Sequence, residues 1–222
     1  MLKAAIFDMD GLLVDSEPQW RIVEMSVFRT VGLALTEEQC KQTTGLPIAD
    51  VVDYWYARQP WTGRSKAEIA DAITAGAYDR IGREAGPMPG ALDVLAQFRE
   101  QGVRMGIASA SPMHLIELVI DRLGIRDYFS VWHSATLEAR NKPAPDVYLG
   151  VARKLNVAPA DCVAFEDSGN GLKSAHAAGM LTVAVPADYE FEDPKFGLAD
   201  FKIPSLRAVD ADFIRQLNPV NP

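Results

Sequence analysis

From residue 91 onward the sequence alternates helical patterns with short apolar runs, and that alternation leaves the chain few folds to choose from. Helical spacing over residues 91–101 leads to an apolar run at 103–108. The same pairing recurs at 112–123 with 129–134, at 146–155 with 162–165, and at 171–178 with 182–185. Short apolar runs bounded by polar or glycine residues fit buried strands. Strands joined through helices pair in parallel, with helices covering both faces of the sheet. Residues 4–7 supply one more such strand at the start of the chain, and Gly179 stands where a helix would end in a left-handed residue. Beyond residue 185 the pattern is shorter and less regular.

Residues 16–85 have a different character. Helical patterns cover 21–31, 36–43, 48–58 and 66–82, broken at Gly45-Leu46-Pro47 and Gln59-Pro60-Trp61-Thr62-Gly63, with no strand signal between them. Asp15-Ser16-Glu17-Pro18 reads as a capped helix start. The Pro/Gly hinge Gly86-Pro87-Met88-Pro89-Gly90 leads back to the alternating pattern. The expected organisation is an α/β core, residues 1–15 and 86–222, carrying a helical insert at 16–85. A length of 222 residues suits a core plus an insert.

Composition narrows the partners. With 22 Lys and Arg against 30 Asp and Glu, the formal net charge of -8 argues against a nucleic-acid surface, which needs a basic stripe. It leaves room for a small anionic substrate, because a metal ion and a local cation reverse the field inside a cleft. No stretch approaches the roughly 18 consecutive apolar residues of a membrane span. Only Lys3 precedes the first strand, so neither a secretory leader nor a membrane partner is expected. Cys40 and Cys162 are isolated thiols without metal-ligand spacing, expected to be buried and reduced in a cytoplasmic protein.

The ends of the predicted strands carry the polar residues. The first strand runs into Asp8-Met9-Asp10-Gly11, two carboxylates separated by one residue. The second ends in Ser109-Ala110-Ser111-Pro112. Here Ser111 and Pro112 read as an N-cap and first helical residue, and Ser109 with nearby N–H groups is placed to meet a phosphate. Lys142 lies in the proline-rich Arg140-Asn141-Lys142-Pro143-Ala144-Pro145-Asp146, where the prolines are expected to hold an extended backbone and aim the ammonium. The strand 162–165 ends in Glu166-Asp167-Ser168-Gly169-Asn170, with Ser168 or Asn170 suited to capping the helix that follows. Open parallel sheets place their chemistry at the carboxyl ends of strands. Carboxylates gathered there repel one another unless a hard cation lies among them.

In order and spacing, Asp8-Met9-Asp10-Gly11, Ser109, Lys142-Pro143 and Glu166-Asp167-Ser168 resemble the successive motifs of the haloacid dehalogenase-like hydrolases, over essentially the whole chain. The resemblance implies a Rossmann-like parallel sheet core with a small all-helical cap domain inserted after the first strand. Two stretches, residues 51–61 and 106–112, further resemble the subgroup of bacterial hexitol and 2-deoxyglucose-6-phosphate phosphatases. That resemblance implies a phosphoric monoester hydrolase acting as a monomer on a small phosphorylated sugar or sugar alcohol. Asp8 would attack phosphorus and Asp10 would serve as general acid and base. Mg²⁺ would be held by Asp8, the Asp10 main-chain carbonyl and Asp167, with Glu166 beside or just behind them. Ser109, Lys142 and the N–H groups of Met9 and Ala110 would hold the phosphoryl oxygens. Trp20, Gly45, Leu46 and Trp55 are the cap residues expected near the sugar.

Other functions on the same fold would need different residues. In a β-phosphoglucomutase the resemblance would place a histidine near position 20 and a lysine and an arginine in the cap loop. Trp20 and Thr44-Gly45-Leu46-Pro47-Ile48 supply none of these. A non-catalytic binding module on the same fold would not need both Asp8 and Asp10. His114, His133 and His176 match no motif and are expected to serve packing or the surface.

Overall fold

A computed structural model describes residues 2–44 and 46–218. The chain divides into two compact units, one of Met1–Asp15 with Gly86–Pro222 and the other of Ser16–Ala85. Among the described residues of the first unit, six strands form one sheet. They are β1 (Ala4–Phe7), β2 (Arg104–Ser109), β3 (Val131–Ser134), β4 (Cys162–Glu166), β5 (Leu181–Ala184) and β6 (Phe201–Lys202). Their order is β3-β2-β1-β4-β5-β6, and every neighbouring pair is parallel. Helices α1 (Glu17–Arg29), α2 (Glu37–Cys40), α3 (Ile48–Arg58) and α4 (Lys66–Glu84) lie in the second unit. Helices α5 (Ala91–Glu100), α6 (Met113–Leu123), α7 (Asp146–Leu155), α8 (Gly169–Ala177) and α9 (Ala211–Gln216) lie in the first. No helix among the described residues is long and apolar enough to cross a membrane.

The predicted Rossmann-like α/β fold is the observed one. Strand β6 escaped the sequence pattern because two residues are too few to show a period. The helical pattern at 36–43 proves to be one α-helical turn followed by a 3-10 turn at Lys41–Thr43. At the start of α1 the expected side-chain cap is absent. Ser16 has helical torsions (φ -87°, ψ -23°), whereas a capping serine needs an extended backbone to reach the N–H groups ahead of it. Ser168 does cap α8, its Oγ accepting the Gly171 N–H at 3.0 Å, and Gly179 follows that helix with φ +77°.

Strand β1 lies between β2 and β4 and is fully buried along its length, which explains its unbroken apolar run. Phe7 stacks on Phe165 of β4 with ring centroids 5.0 Å apart, and Phe98 of α5 meets both rings edge-on. Each fully buried phenylalanine contributes about 1.5–3 kcal/mol of transfer free energy, so the base beneath the strand ends is stiff. The sheet changes winding direction at β1, where β2 leads to one side and β4 to the other. Open α/β sheets form their ligand crevice at such a point, at the carboxyl ends.

The second unit packs α1, α3 and α4 around Val23, Phe28, Val52, Trp55, Trp61, Ile69 and Ile73. Ser65 and Glu68 form a reciprocal capping box at the start of α4. One carboxyl, Glu24, is buried in this unit and accepts a hydrogen bond from the Cys40 thiol.

Candidate active site

The strand ends bring four separated segments together within the sheet unit. Asp8 follows β1, and its N–H donates to the Phe165 carbonyl at 3.0 Å, extending the ladder by one residue so that Asp8 stands level with Glu166. Ser109 ends β2, Glu166 ends β4, and Asp167 follows it. Lys142 enters from the loop between β3 and α7.

That loop differs from its expected extended form. The Ala144 N–H closes a turn on the Asn141 carbonyl at 3.0 Å, and the Lys142–Pro143 peptide is cis. The turn sends Lys142 inward, where only 7% of its side chain is exposed. Its Nζ donates to Asp8 Oδ1 at 2.6 Å, Glu166 Oε1 at 2.5 Å and the Ala108 carbonyl at 3.0 Å. Three donors thus meet three acceptors, the full capacity of an ammonium.

The rest of the site is built around these carboxylates. Glu166 Oε1 also accepts from the Tyr148 hydroxyl at 2.5 Å, and Oε2 accepts from the Ser168 hydroxyl at 3.1 Å. Gly171 makes room for this carboxyl, since a Cβ there would overlap it. Gly11 does the same for Asp167: it holds φ +75°, and a Cβ on it would collide with Asp167 Oδ2. Carboxylate oxygens of Asp8, Glu166 and Asp167 lie within 4.8 Å of one another.

Burial dominates the electrostatics. It pushes the Asp8 pKa up to about 7, helped by Glu166 and Asp10 and opposed by Lys142. Asp167 is raised well above the usual carboxylate range by burial first and then by Asp8 and Glu166. Burial works against the charge on Lys142, but Asp8 and Glu166 outweigh it and raise its pKa. Burial and Glu166 raise the Tyr148 phenol well above its ordinary value, so it remains a donor.

Ser111 departs from its expected capping role. Helix α6 begins at Met113 with Pro112 at its N-cap position and no side-chain cap, while Ser111 Oγ donates to Asp10 Oδ2 at 2.7 Å. Ser109 is buried, and its Oγ accepts the Ser111 N–H at 3.0 Å, while Ala110 between them is exposed. The Met9 side chain is buried in the core, and its carbonyl accepts the N–H groups of Leu13 at 2.9 Å and Val14 at 3.1 Å. Those bonds tie residues 9–14 into a tight loop.

The four residues expected near the sugar lie in the helical unit. Trp20 of α1 is partly buried with its ring edge-on to Tyr78. Trp55 of α3 is 5% exposed and packs in the apolar cluster. Leu46 is 46% exposed. Gly45 lies outside the described residues. Of the three histidines, His133 is buried between Glu138 and Lys154.

Sequence reasoning missed Tyr148 and misread Ser111. Tyr148 sits on the apolar face of α7, where an aromatic residue signals packing alone. Ser111 satisfied a capping pattern that its serine-proline pair also fits.

Comparison with known proteins bears on this geometry. Residues 2–179 match the sequence pattern of the haloacid dehalogenase-like hydrolases. The chain belongs to that family. It is 44% identical over 209 residues to hexitol phosphatase B of Escherichia coli K12, spanning 94% of each protein. It is 34% identical over 206 residues to the plasmid-encoded CbbY of Cupriavidus necator, covering 86% of this chain and 81% of that protein. Among solved structures of the family, CbbY from Rhodobacter sphaeroides in complex with phosphate superposes with a TM-score of 0.76 at 26% identity. That superposition covers 94% of this chain and 96% of the other.

Proposed function

We propose that this hydrolase is a Mg²⁺-dependent phosphatase of small phosphorylated sugars or sugar alcohols, of the hexitol phosphate or 2-deoxyglucose 6-phosphate type, working through an aspartyl-phosphate on Asp8. The phosphatase reading is supported by family membership and by 44% identity to a hexitol phosphatase. The observation that carries the chemistry is the 2.6 Å contact of Lys142 with Asp8 inside a cluster of three carboxylates. A nucleophile needs its charge kept and its approach fixed, and one ammonium does both.

The donor set fits a hard divalent cation. Its donors are all oxygens, and burial pushes both Asp8 and Asp167 toward protonation, with Glu166 adding to each shift. Asp8, the Asp10 main-chain carbonyl and Asp167 would hold Mg²⁺, and Glu166, engaged by Lys142, Tyr148 and Ser168, would stand behind them. When bound, the ion would neutralise charge on the phosphoryl group.

In the first step an Asp8 oxygen bonds to phosphorus as the bond from phosphorus to the sugar oxygen breaks, and Asp10 gives that oxygen its proton. In the second, water attacks phosphorus, the bond to Asp8 breaks, and Asp10 takes the water's proton. The sum is ester plus water to alcohol plus phosphate, with Asp10 restored. Lys142, exchanging one of its present acceptors, would join the Ser109 hydroxyl and the N–H groups of Met9 and Ala110 in holding the phosphoryl oxygens, so charge compensation supplies most of the catalysis. The helical unit serves in this proposal as the cap that selects the substrate, through Trp20, Gly45 and Leu46. The setting is cytoplasmic, in keeping with two free, buried cysteines.

Phosphate release is the test. Wild-type protein with Mg²⁺ should turn over sorbitol 6-phosphate, mannitol 1-phosphate or 2-deoxyglucose 6-phosphate. EDTA should abolish release, and Asp8→Asn should lower it by roughly 10⁴-fold or more. A folded wild-type protein that releases no phosphate from any of these or from p-nitrophenyl phosphate would sink the proposal. Efficient conversion of β-glucose 1-phosphate to glucose 6-phosphate would replace it with the mutase.

A further inference from the structure

We propose that Ser111 is the positioning residue of Asp10, its hydroxyl setting the orientation of the carboxyl group that exchanges a proton with the substrate oxygen. This inference rests on the phosphatase reading and deepens it. The contact spans 101 residues of sequence: Ser111 Oγ donates to Asp10 Oδ2 at 2.7 Å, and Ser111 is 8% exposed.

Every polar group of Ser111 is committed to the site. Its N–H donates to Ser109 Oγ at 3.0 Å, tying it to the last residue of β2. Its carbonyl accepts from Ser134 Oγ at 2.6 Å, tying it to the last residue of β3. Ser134 is itself fully buried, and its Oγ is 2.7 Å from Thr136 Oγ1. With both flanking peptide groups anchored to strand ends, the side chain of Ser111 keeps little freedom beyond one torsion. That torsion aims the hydroxyl at Asp10.

The competing employment for a serine ahead of a helix is capping, and α6 has no side-chain cap. The serine is therefore not held there by helix stability. Asp10 has the opposite difficulty. It lies past the end of β1, before Gly11 with φ +75°, where the ladder no longer dictates side-chain direction. A hydroxyl braced between two strands supplies that direction.

Proton delivery matters only where the leaving group needs it. A sugar alkoxide is a poor leaving group and must be protonated as the ester bond breaks, whereas p-nitrophenolate departs unaided. Loss of Asp10 orientation should therefore slow Asp8 phosphorylation by sorbitol 6-phosphate and spare phosphorylation by p-nitrophenyl phosphate.

The experiment is rapid-quench and stopped-flow kinetics of Ser111→Ala and Ser111→Thr with Mg²⁺. For Ser111→Ala the first step on sorbitol 6-phosphate should fall by about tenfold to a hundredfold, the scale of a misplaced catalytic group. The nitrophenol burst should keep its wild-type rate, and KM should stay within about twofold. Ser111→Thr, which retains the hydroxyl, should recover most of the sorbitol 6-phosphate rate. If Ser111→Ala is poorly folded, Ser111→Cys should show the same split, since a thiol is a weak donor of similar size. Equal slowing of both esters, or of neither, would overturn the inference while leaving the phosphatase intact. No turnover of either ester by wild-type protein would overturn both.

Discussion

The sheet unit gathers three carboxylates, the buried Asp8 and Glu166 and the half-buried Asp167, near the ammonium of Lys142, whereas the helical unit buries one carboxyl, Glu24, against the Cys40 thiol. Burial raises the pKa of Asp8 and of Glu24 alike, each to about 7. The difference lies in what surrounds them. Asp8 has a cation at 2.6 Å, and its neighbour Glu166 has donors on both oxygens. Around Glu24 burial leads, the Cys40 thiol and Arg21 only partly offset it, and Glu17 adds to it. Buried charge that is networked and able to recruit a metal can do chemistry. Buried charge without such a network is relieved by taking up a proton, at a cost to stability once the pH rises.

Lys142→Met strikes this contrast hardest. It turns the compensated cluster into an uncompensated one, and turnover should fall roughly a thousandfold. In metal-free protein above pH 8, stability should fall by about 3–5 kcal/mol, with the loss smaller near pH 6 where Asp8 can bind a proton. Activity assays and urea titrations at the two pH values check this. An unchanged stability at pH 8 would mean that the lysine is not what makes the cluster tolerable.

Glu24→Gln acts on the other side. The folded-state pKa is raised from 4.5 to about 7, so the folded protein keeps a proton that the unfolded chain has released. Stability from this group is full below pH 4.5 and is lost as the pH rises through 7. The glutamine variant should therefore match wild type near pH 4.5 and be more stable by about 3 kcal/mol at pH 8. Thermal unfolding across that range reads it, and a gap that stayed constant with pH would contradict the assignment.

Tyr148→Phe sharpens the comparison least. It removes one donor from Glu166 while Lys142 remains, and a hydrogen bond to a charged group contributes about 2 kcal/mol. Urea unfolding should show a loss of that size, accompanied by a modest drop in kcat as Lys142 and Glu166 readjust. A loss below about 0.5 kcal/mol would show that the phenol only fills space.

Much of this molecule was readable along the chain. β1 through β5 announced themselves by apolar runs, and Asp8, Ser109, Lys142 and Glu166 with Asp167 stood at or beyond strand ends where parallel sheets gather chemistry. The errors share a cause. Ser111 before a proline satisfied the rule for a helix cap, and Tyr148 on an apolar helix face satisfied the rule for a core residue. In both, a local rule was met while a distant partner decided the role. The loop at Lys142 was expected to be extended because prolines favour that backbone, yet it turns inward, where Asp8 and Glu166 meet its ammonium.

By itself the sequence determined the parallel α/β core, the helical character of residues 16–85 and the segments that bear the polar groups. Period and strand-end chemistry are local properties, and each leaves its mark within a few neighbouring residues. Only the tertiary structure decided which atoms meet. Asp10 and Ser111, 101 residues apart, and Lys142 and Asp8, 134 apart, become partners through the strand order β3-β2-β1-β4. A hydrogen bond is decided within a few tenths of an ångström, and no pattern along the chain carries that information.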